Sequence, residues 1–263
     1  MKTISLKQAN AETDIALINQ YALKELKPED VYVFSVILCD NEVDRDFEKF
    51  ADSALDELVP LFEGKTGIFN HSWDAKDQIS RIYSVGVKTT GEKNSLGEPL
   101  RQLQAFAYIL RNDSTKGIIE NIEGGILKEV SVGFSVKEIV CSICGSKMGW
   151  SMCEEGHAKG KIVDDALCYG ILKSPTDAYE FSFVAVPAQR GAGVTKKLDK
   201  ALDAQWGAFL SALDEYEPKE TAETIKRFVV DLQARLLPAK EKELRQDIIL
   251  RNQKYLNKQE DLN

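Results

Sequence analysis

In the stretch NAETDIALINQYALKEL, residues 10–26, apolar side chains recur at Ile15, Ile18, Tyr21, Ala22 and Leu26, which is helical spacing, and Pro28 follows shortly after. Residues 31–38, VYVFSVIL, form a continuous apolar run rich in β-branched and aromatic residues, which predicts a buried strand. DSALDELVPLFEGK predicts a helix with Asp52 or Ser53 as N-cap and Gly64 at its end. Two strands are expected in TGIFNHSW and ISRIYSVGVKTT, joined by the polar DAKDQ. Another is expected in RQLQAFAYIL, after the loop GEKNSLGEPL. DSTKGIIENIEGGIL reads as a short helix ending in a Gly-Gly turn. KEVSVGFSVKEIV alternates most regularly of all. It places Val130, Val132, Phe134 and Val136 on one face, and Ser131, Gly133 and Ser135 on the other. A last strand, in AYEFSFVAVPAQRGAGV, is ended by Pro187.

From about Thr195 the β-branched residues thin out, and three helical stretches follow at about 198–215, 219–236 and 238–257, punctuated by Pro218 and Pro238. In the second, Ile225, Phe228, Val229, Leu232, Leu236 and Leu237 share one face, which suits packing on a neighbour. Strands with a few helices and then a helical tail describe α+β rather than a regular βαβ alternation. The expected organisation is a domain over 1–197, a Cys/His insertion at 139–170, and a tail over 198–263.

Composition narrows the classes. A hydrophobic share of 43% over 263 residues supports a real core. The net charge of −8 argues against general nucleic-acid binding, which needs a basic face. The start of the chain lacks the apolar run of about 7–15 residues that marks a secretory signal. No stretch approaches the roughly 20 apolar residues of a membrane span. A cytoplasmic protein is expected, and in that compartment clustered cysteines point to metal rather than disulfides.

Cys141-x2-Cys144 and Cys153-x3-His157 supply four soft or borderline ligands at the spacing of a tetrahedral zinc site. Gly145, directly after the first pair, lets backbone amides turn toward the thiolates. Cys168 is a substitute ligand, and Cys39 lies in a different segment. A full set of four favours a closed, structural zinc over a catalytic one, which usually keeps a position open for water. Such a metal would fold an insertion that has no core of its own.

The chain has two histidines, so once His157 is assigned to the cysteines, His71 is the free imidazole. Its unperturbed pKa range suits a general base. A packed histidine beside Trp73 is the alternative. Nucleophile candidates are Ser131 and Ser135, on the polar face of EVSVGFSV, with Gly133 between them leaving room for a substrate backbone. No GxSxG elbow is present.

Three ordered blocks carry a resemblance. FNHSWDAKDQISRIYSV is similar to a His block that leads into an Ile-Gly-Arg strand, with Ile79-Ser80-Arg81 here, so Ser80 stands where Gly is usual. LKEVSVGFSV is similar to a Leu-Ser-Ile-Gly-Phe nucleophile strand. YEFSFVAVPAQRGAGV is similar to a Glu-Ile-Ser-Leu-Val-x-x-Pro-Ala-Asn-Pro block, with Gln189 and Arg190 where Asn-Pro is common. In order and spacing the blocks resemble the tailed-phage prohead proteases, the capsid-maturation serine peptidases related to the herpesvirus assemblins. The resemblance spans about residues 31–197.

The resemblance implies a β-barrel-like, mostly antiparallel α+β fold flanked by helices. It implies a serine endopeptidase that cleaves capsid and scaffold proteins, and itself, during prohead maturation. His71 then matches the base and Ser131 the nucleophile. Glu180 matches the strand of the third member, with Asp74 and Asp77 as alternatives. The loop after Pro187 suggests Gln189 or Arg190 near the oxyanion, with Arg81 as a further basic candidate. The expected partners are the major capsid protein, the scaffold, the portal and a second copy of the chain. Neither nucleic acid nor membrane is expected, and the place of action is the procapsid in the host cytoplasm. The tail would act as a scaffold or targeting segment. Zinc would be structural, with no cofactor needed for catalysis. The competing classes are an inactive assembly protein of the same fold and a zinc-dependent hydrolase, the latter disfavoured by the full ligand set.

Overall fold

The computed structural model describes residues 11–195. The helices expected at 198–215, 219–236 and 238–257 lie outside the described residues, as does the apolar face from Ile225 to Leu237. Among the described residues no helix is long and apolar enough to cross a membrane.

The first helix, α1, spans Ala11–Ile18 and is shorter than its apolar spacing predicts. The reason lies at Asn19. Its side chain donates to the Leu26 carbonyl at 3.0 Å and accepts from the Leu26 amide at 2.9 Å, so a local bracket displaces the helical ladder. Ile18 and Leu26 then bury together with Val31, Tyr83 and Tyr108. Strand β1, Val31–Asp40, follows, and then β2, Glu48–Phe50. Helix α2, Asp52–Phe62, buries Ala54, Leu55, Leu58 and Phe62 on its apolar face. Its N-cap is Ala51, without a side-chain cap. Asp52, expected to cap, instead accepts from the Asn41 amide at 2.9 Å.

Strand β3, Thr66–Phe69, is brief; β4, Ser80–Lys93, and β5, Pro99–Leu110, form a long hairpin. Helix α3 spans Lys116–Glu123. Strand β6 covers Val130–Cys141, and β9 covers Gly170–Phe183. Between them lies a small hairpin of β7, Ile162–Val163, and β8, Ala166–Leu167. Strand β10 is Gly193–Val194.

The fold is α+β, built on a mixed sheet. Most pairs are antiparallel, but β2 and β3 both run parallel to β9. One path through the sheet runs β10, β1, β5, β4, β3, β9, β2, and β6 pairs with β9. The expected barrel does not close. Strand β10 has only two residues, and a single isolated bridge, Glu129 to Gly193, links it toward β6. That is too short a ladder to seal the sheet on itself.

The central core joins Phe34, Val36 and Leu38 of β1 to Phe62 of α2 and Phe181 and Phe183 of β9. Successive side chains of a strand point to opposite faces. Phe181 and Phe183 therefore enter the core while Glu180 and Ser182 lie on the other side of β9. Packing is tight where β3 crosses: a Cβ on Gly67 would lie 2.0 Å from Ser80 Oγ and 2.4 Å from the Phe181 ring. The Ser80 hydroxyl is buried without a hydrogen-bond partner.

Gly67→Ala is therefore expected to cost about 1–3 kcal/mol through overpacking. Ser80→Ala, which removes an unpaired buried hydroxyl, is expected to be neutral or to stabilise by up to about 1 kcal/mol. Urea midpoints measure both. A Gly67→Ala protein as stable as wild type would contradict the packing.

Candidate functional site

The antiparallel β6–β9 ladder sets the site. Its register pairs Ser131 with Ser182 and Gly133 with Glu180. Directly opposed residues share a face, with Cβ atoms about 4.5–5.5 Å apart. Ser131, Gly133, Glu180 and Ser182 thus form one polar patch although the Cys/His insertion separates them in sequence.

His71 arrives from β3. That strand runs parallel to β9, with Ile68 opposite Ser182 and Phe69 opposite Phe183. Asn70 and His71 then turn with φ of 50° and 54°. Left-handed conformations at non-glycine residues cost on the order of 1–3 kcal/mol each and persist only where surrounding bonds hold them. Here the Asn70 amide donates to the Phe183 carbonyl at 3.0 Å, and the His71 amide donates to Ser182 Oγ at 2.8 Å. The turn swings the imidazole over β9. Its Nδ1 lies 2.8 Å from Glu180 Oε1. Ser182 Oγ donates to the other oxygen, Oε2, at 2.7 Å. The Glu180 side chain is 7% exposed and that of His71 44%, so a buried carboxylate holds a half-exposed ring.

Gly133 also makes room within the protein: a Cβ there would lie 2.4 Å from Glu180 Oε1, so the missing side chain accommodates the carboxylate.

Other candidates are engaged elsewhere. Asp74 caps a short turn through the Lys76 amide and pairs with Lys76 Nζ at 2.9 Å. Asp77 accepts from Ser72 Oγ at 2.5 Å. Ser135 Oγ lies 2.7 Å from Thr176 Oγ1. Arg81 donates to the Gly64 carbonyl at 2.6 Å. Gln189 is buried, with its amide bracing Asp40: it accepts from the Asp40 N–H at 2.6 Å and donates to the Asp40 carbonyl at 3.0 Å. Arg190 is exposed. Trp73 is 83% exposed and meets Tyr179 with ring centroids 5.9 Å apart, so it is not a core neighbour of His71.

Ser131 is half-buried, and no hydrogen bond joins its hydroxyl to His71. Such contacts are often long before substrate binds. Ser182 is the one residue of this hydrogen-bonded group that the sequence motifs did not single out. Its signal was available, because Glu-x-Ser on a strand places both side chains on one face. A separate cavity of about 590 Å³, lined by residues including Phe69, Ile79, Arg81 and Tyr108, contains none of His71, Ser131 and Glu180.

The second candidate centre sits at the far end of the same ladder, where Cys141 pairs with Gly170. The ligand atoms of Cys141, Cys144, Cys153 and His157 all lie within 4.8 Å of one another, and this cluster can hold a metal ion. Cys141 Sγ is 3.8 Å from His157 Nδ1, and Cys144 Sγ is 3.8 Å from Cys153 Sγ. Tetrahedral sulfur ligands at about 2.3 Å from a metal stand roughly 3.8 Å apart, so the donor set fits. Amides of Ile143 and His157 donate to the sulfurs of Cys141 and Cys153 at 3.4 and 3.3 Å. Gly145 and Gly156, at φ of 74° and 84°, make the turns that aim them. The Cys144 thiol is drawn below its ordinary range by the Ser146 hydroxyl. Cys168 lies 3.8 Å from Cys141, and burial, with Cys141 beside it, pushes its thiol up to about 11.

No protein-family model matches the chain, and a comparison with curated proteins finds no match.

Gly133→Ala is expected to push the Glu180 carboxylate off His71 Nδ1. The ring Nδ1–H proton resonance, expected in slow exchange in wild type, should then broaden or vanish. An unchanged resonance would show that the carboxylate has other room.

Proposed function

We propose that the chain is a serine endopeptidase of the prohead-protease kind, acting on capsid and scaffold proteins and on itself. The single observation that carries this is the 2.8 Å contact between His71 Nδ1 and Glu180 Oε1 on the face that also carries Ser131. The three ordered sequence blocks carry the same three residues. The mostly antiparallel sheet supports the reading, and its open state limits the likeness to the expected barrel.

In this mechanism an ionised Glu180 only accepts, so His71 carries its proton on Nδ1 and offers the Nε2 lone pair. Nε2 takes the Ser131 proton as Oγ attacks a peptide carbonyl. The imidazolium returns that proton to the leaving amine. Water, deprotonated by His71, then hydrolyses the acyl-enzyme. The buried carboxylate stabilises imidazolium throughout. With Gln189 committed to Asp40, the exposed Arg190 is the side chain of its loop left to serve the oxyanion, alongside backbone amides.

We further propose that the metal is zinc, held by Cys141, Cys144, Cys153 and His157. Its role is to fold the insertion, with no part in the chemistry.

Co-expression with the capsid protein tests the enzyme. Wild type is expected to yield defined fragments by mass spectrometry, and Ser131→Ala none. Equal cleavage by both would remove Ser131 as nucleophile. Absence of cleavage by wild type would favour an assembly protein of the same fold.

Metal analysis is expected to find about one zinc per chain, as four protein ligands imply. Chelation should loosen residues 141–168 in hydrogen exchange without abolishing cleavage. Gently purified protein free of zinc would end the metal proposal.

A further inference from the structure

The mechanism above uses His71, Ser131 and Glu180, and leaves one buried polar side chain of the same face unused. Ser182 is 0% exposed, and its hydroxyl makes two bonds of opposite sense. It accepts from the His71 amide at 2.8 Å and donates to Glu180 Oε2 at 2.7 Å. Glu180 Oε1 faces His71 Nδ1 at 2.8 Å. The three contacts form a closed circuit. It starts at the His71 backbone, passes through Ser182 and both oxygens of Glu180, and returns to the imidazole of His71.

We propose that Ser182 is a positioning residue for the base. It ties the left-handed backbone of His71 and the carboxylate of Glu180 into one unit, so that the ring keeps its Nδ1 proton and its aim. The proposal rests on the peptidase reading only for the identity of the reaction; the circuit itself is a property of the fold.

Two physical points give Ser182 this role. First, the terminal torsion of a Glu side chain is broad, so one hydrogen bond does not hold its carboxylate plane. A second bond, on the other oxygen, does. Gly133 lies close beside Oε1, so the carboxylate is gripped by Ser182 on one oxygen and confined at the other. Second, the His71 amide sits in a turn that no regular ladder satisfies. The ladder of β3 with β9 ends at Phe69. Ser182 supplies the missing acceptor. A serine hydroxyl has one proton and two lone pairs, so donating to the carboxylate leaves it free to accept from the amide. Alanine loses both bonds, while threonine keeps the hydroxyl.

The test uses the full chain with ¹⁵N-labelled histidine, in wild type, Ser182→Ala, Ser182→Thr and Glu180→Gln. With two histidines the spectrum is simple. Wild type and Ser182→Thr are expected to show the His71 ring Nδ1–H resonance in slow exchange. Ser182→Ala should lose or broaden it, as Glu180→Gln does. On a peptide copied from a cleavage site mapped with wild type, Ser182→Ala should lower kcat about 10- to 100-fold with KM little changed, the pattern of a misplaced catalytic group. Ser182→Thr should restore most of it.

A Ser182→Ala protein with the resonance and kcat intact overturns the proposal. So does one that loses the resonance but keeps kcat. If Ser182→Ala does not fold, Ser182→Cys, which is somewhat larger and a weaker donor, carries the same expectation. Failure of the peptidase reading is seen separately, as cleavage unaffected by Ser131→Ala. The ring resonance reports on the circuit in either case.

Discussion

Strands β6 and β9 run antiparallel from Val130 opposite Phe183 to Cys141 opposite Gly170, and both candidate centres hang on that one ladder. At one end it sets Ser131 beside Ser182 and Gly133 beside Glu180. At the other it brings Cys141 to the mouth of the insertion. Backbone pairing of this length specifies register strongly, because a slip of one residue would turn every side chain to the opposite face. Such a slip would carry Glu180 and Ser182 into the core and expel Phe181 and Phe183. The hydrophobic cost of that exchange keeps the polar face in place. The ladder is also interrupted. The partner of β6 jumps from Glu180 to Ala178 between Gly133 and Phe134, which leaves Tyr179 as the extra residue of a bulge. Tyr179 sits outside, against the exposed ring of Trp73.

Close approach is the second theme of the site. Gly133 and Gly67 are each the only residue type that fits, one under a carboxylate and the other against Ser80 and the Phe181 ring. The left-handed pair Asn70–His71 stores strain that bonds to Phe183 and Ser182 offset. Strain concentrated where an imidazole projects, and relieved by buried partners, is the pattern expected of a preorganised site.

The insertion follows a different logic. Its buried cluster consists of Cys141, Met148, Cys153 and Cys168, so three of its four fully buried members are cysteines. Two residues of its β7–β8 turn, Asp164 and Asp165, take positive φ, as a tight hairpin requires. In a segment with so few apolar side chains, a metal joined to the thiols would supply much of the cohesion that a hydrophobic core supplies elsewhere.

The amino-acid order alone carried the strand periods, the helix that ends before Gly64, the Cys/His ligand spacing, and His71, Ser131 and Glu180 as residues worth joining. Those signals are local: each depends on a period of two or about 3.6, or on a few residues of spacing. The tertiary structure decided what local signals cannot reach. It ended α1 at Ile18 through the Asn19 bracket, and it left the sheet open because β10 is two residues long. It committed Gln189 to the Asp40 backbone and chose Glu180 over Asp74 and Asp77 as the partner of His71. It also drew Ser182 into the circuit. Each of these outcomes turns on which residues the chain brings together across long separations. That is settled by register between strands and by competition for buried hydrogen bonds, neither of which is written in any one stretch of sequence.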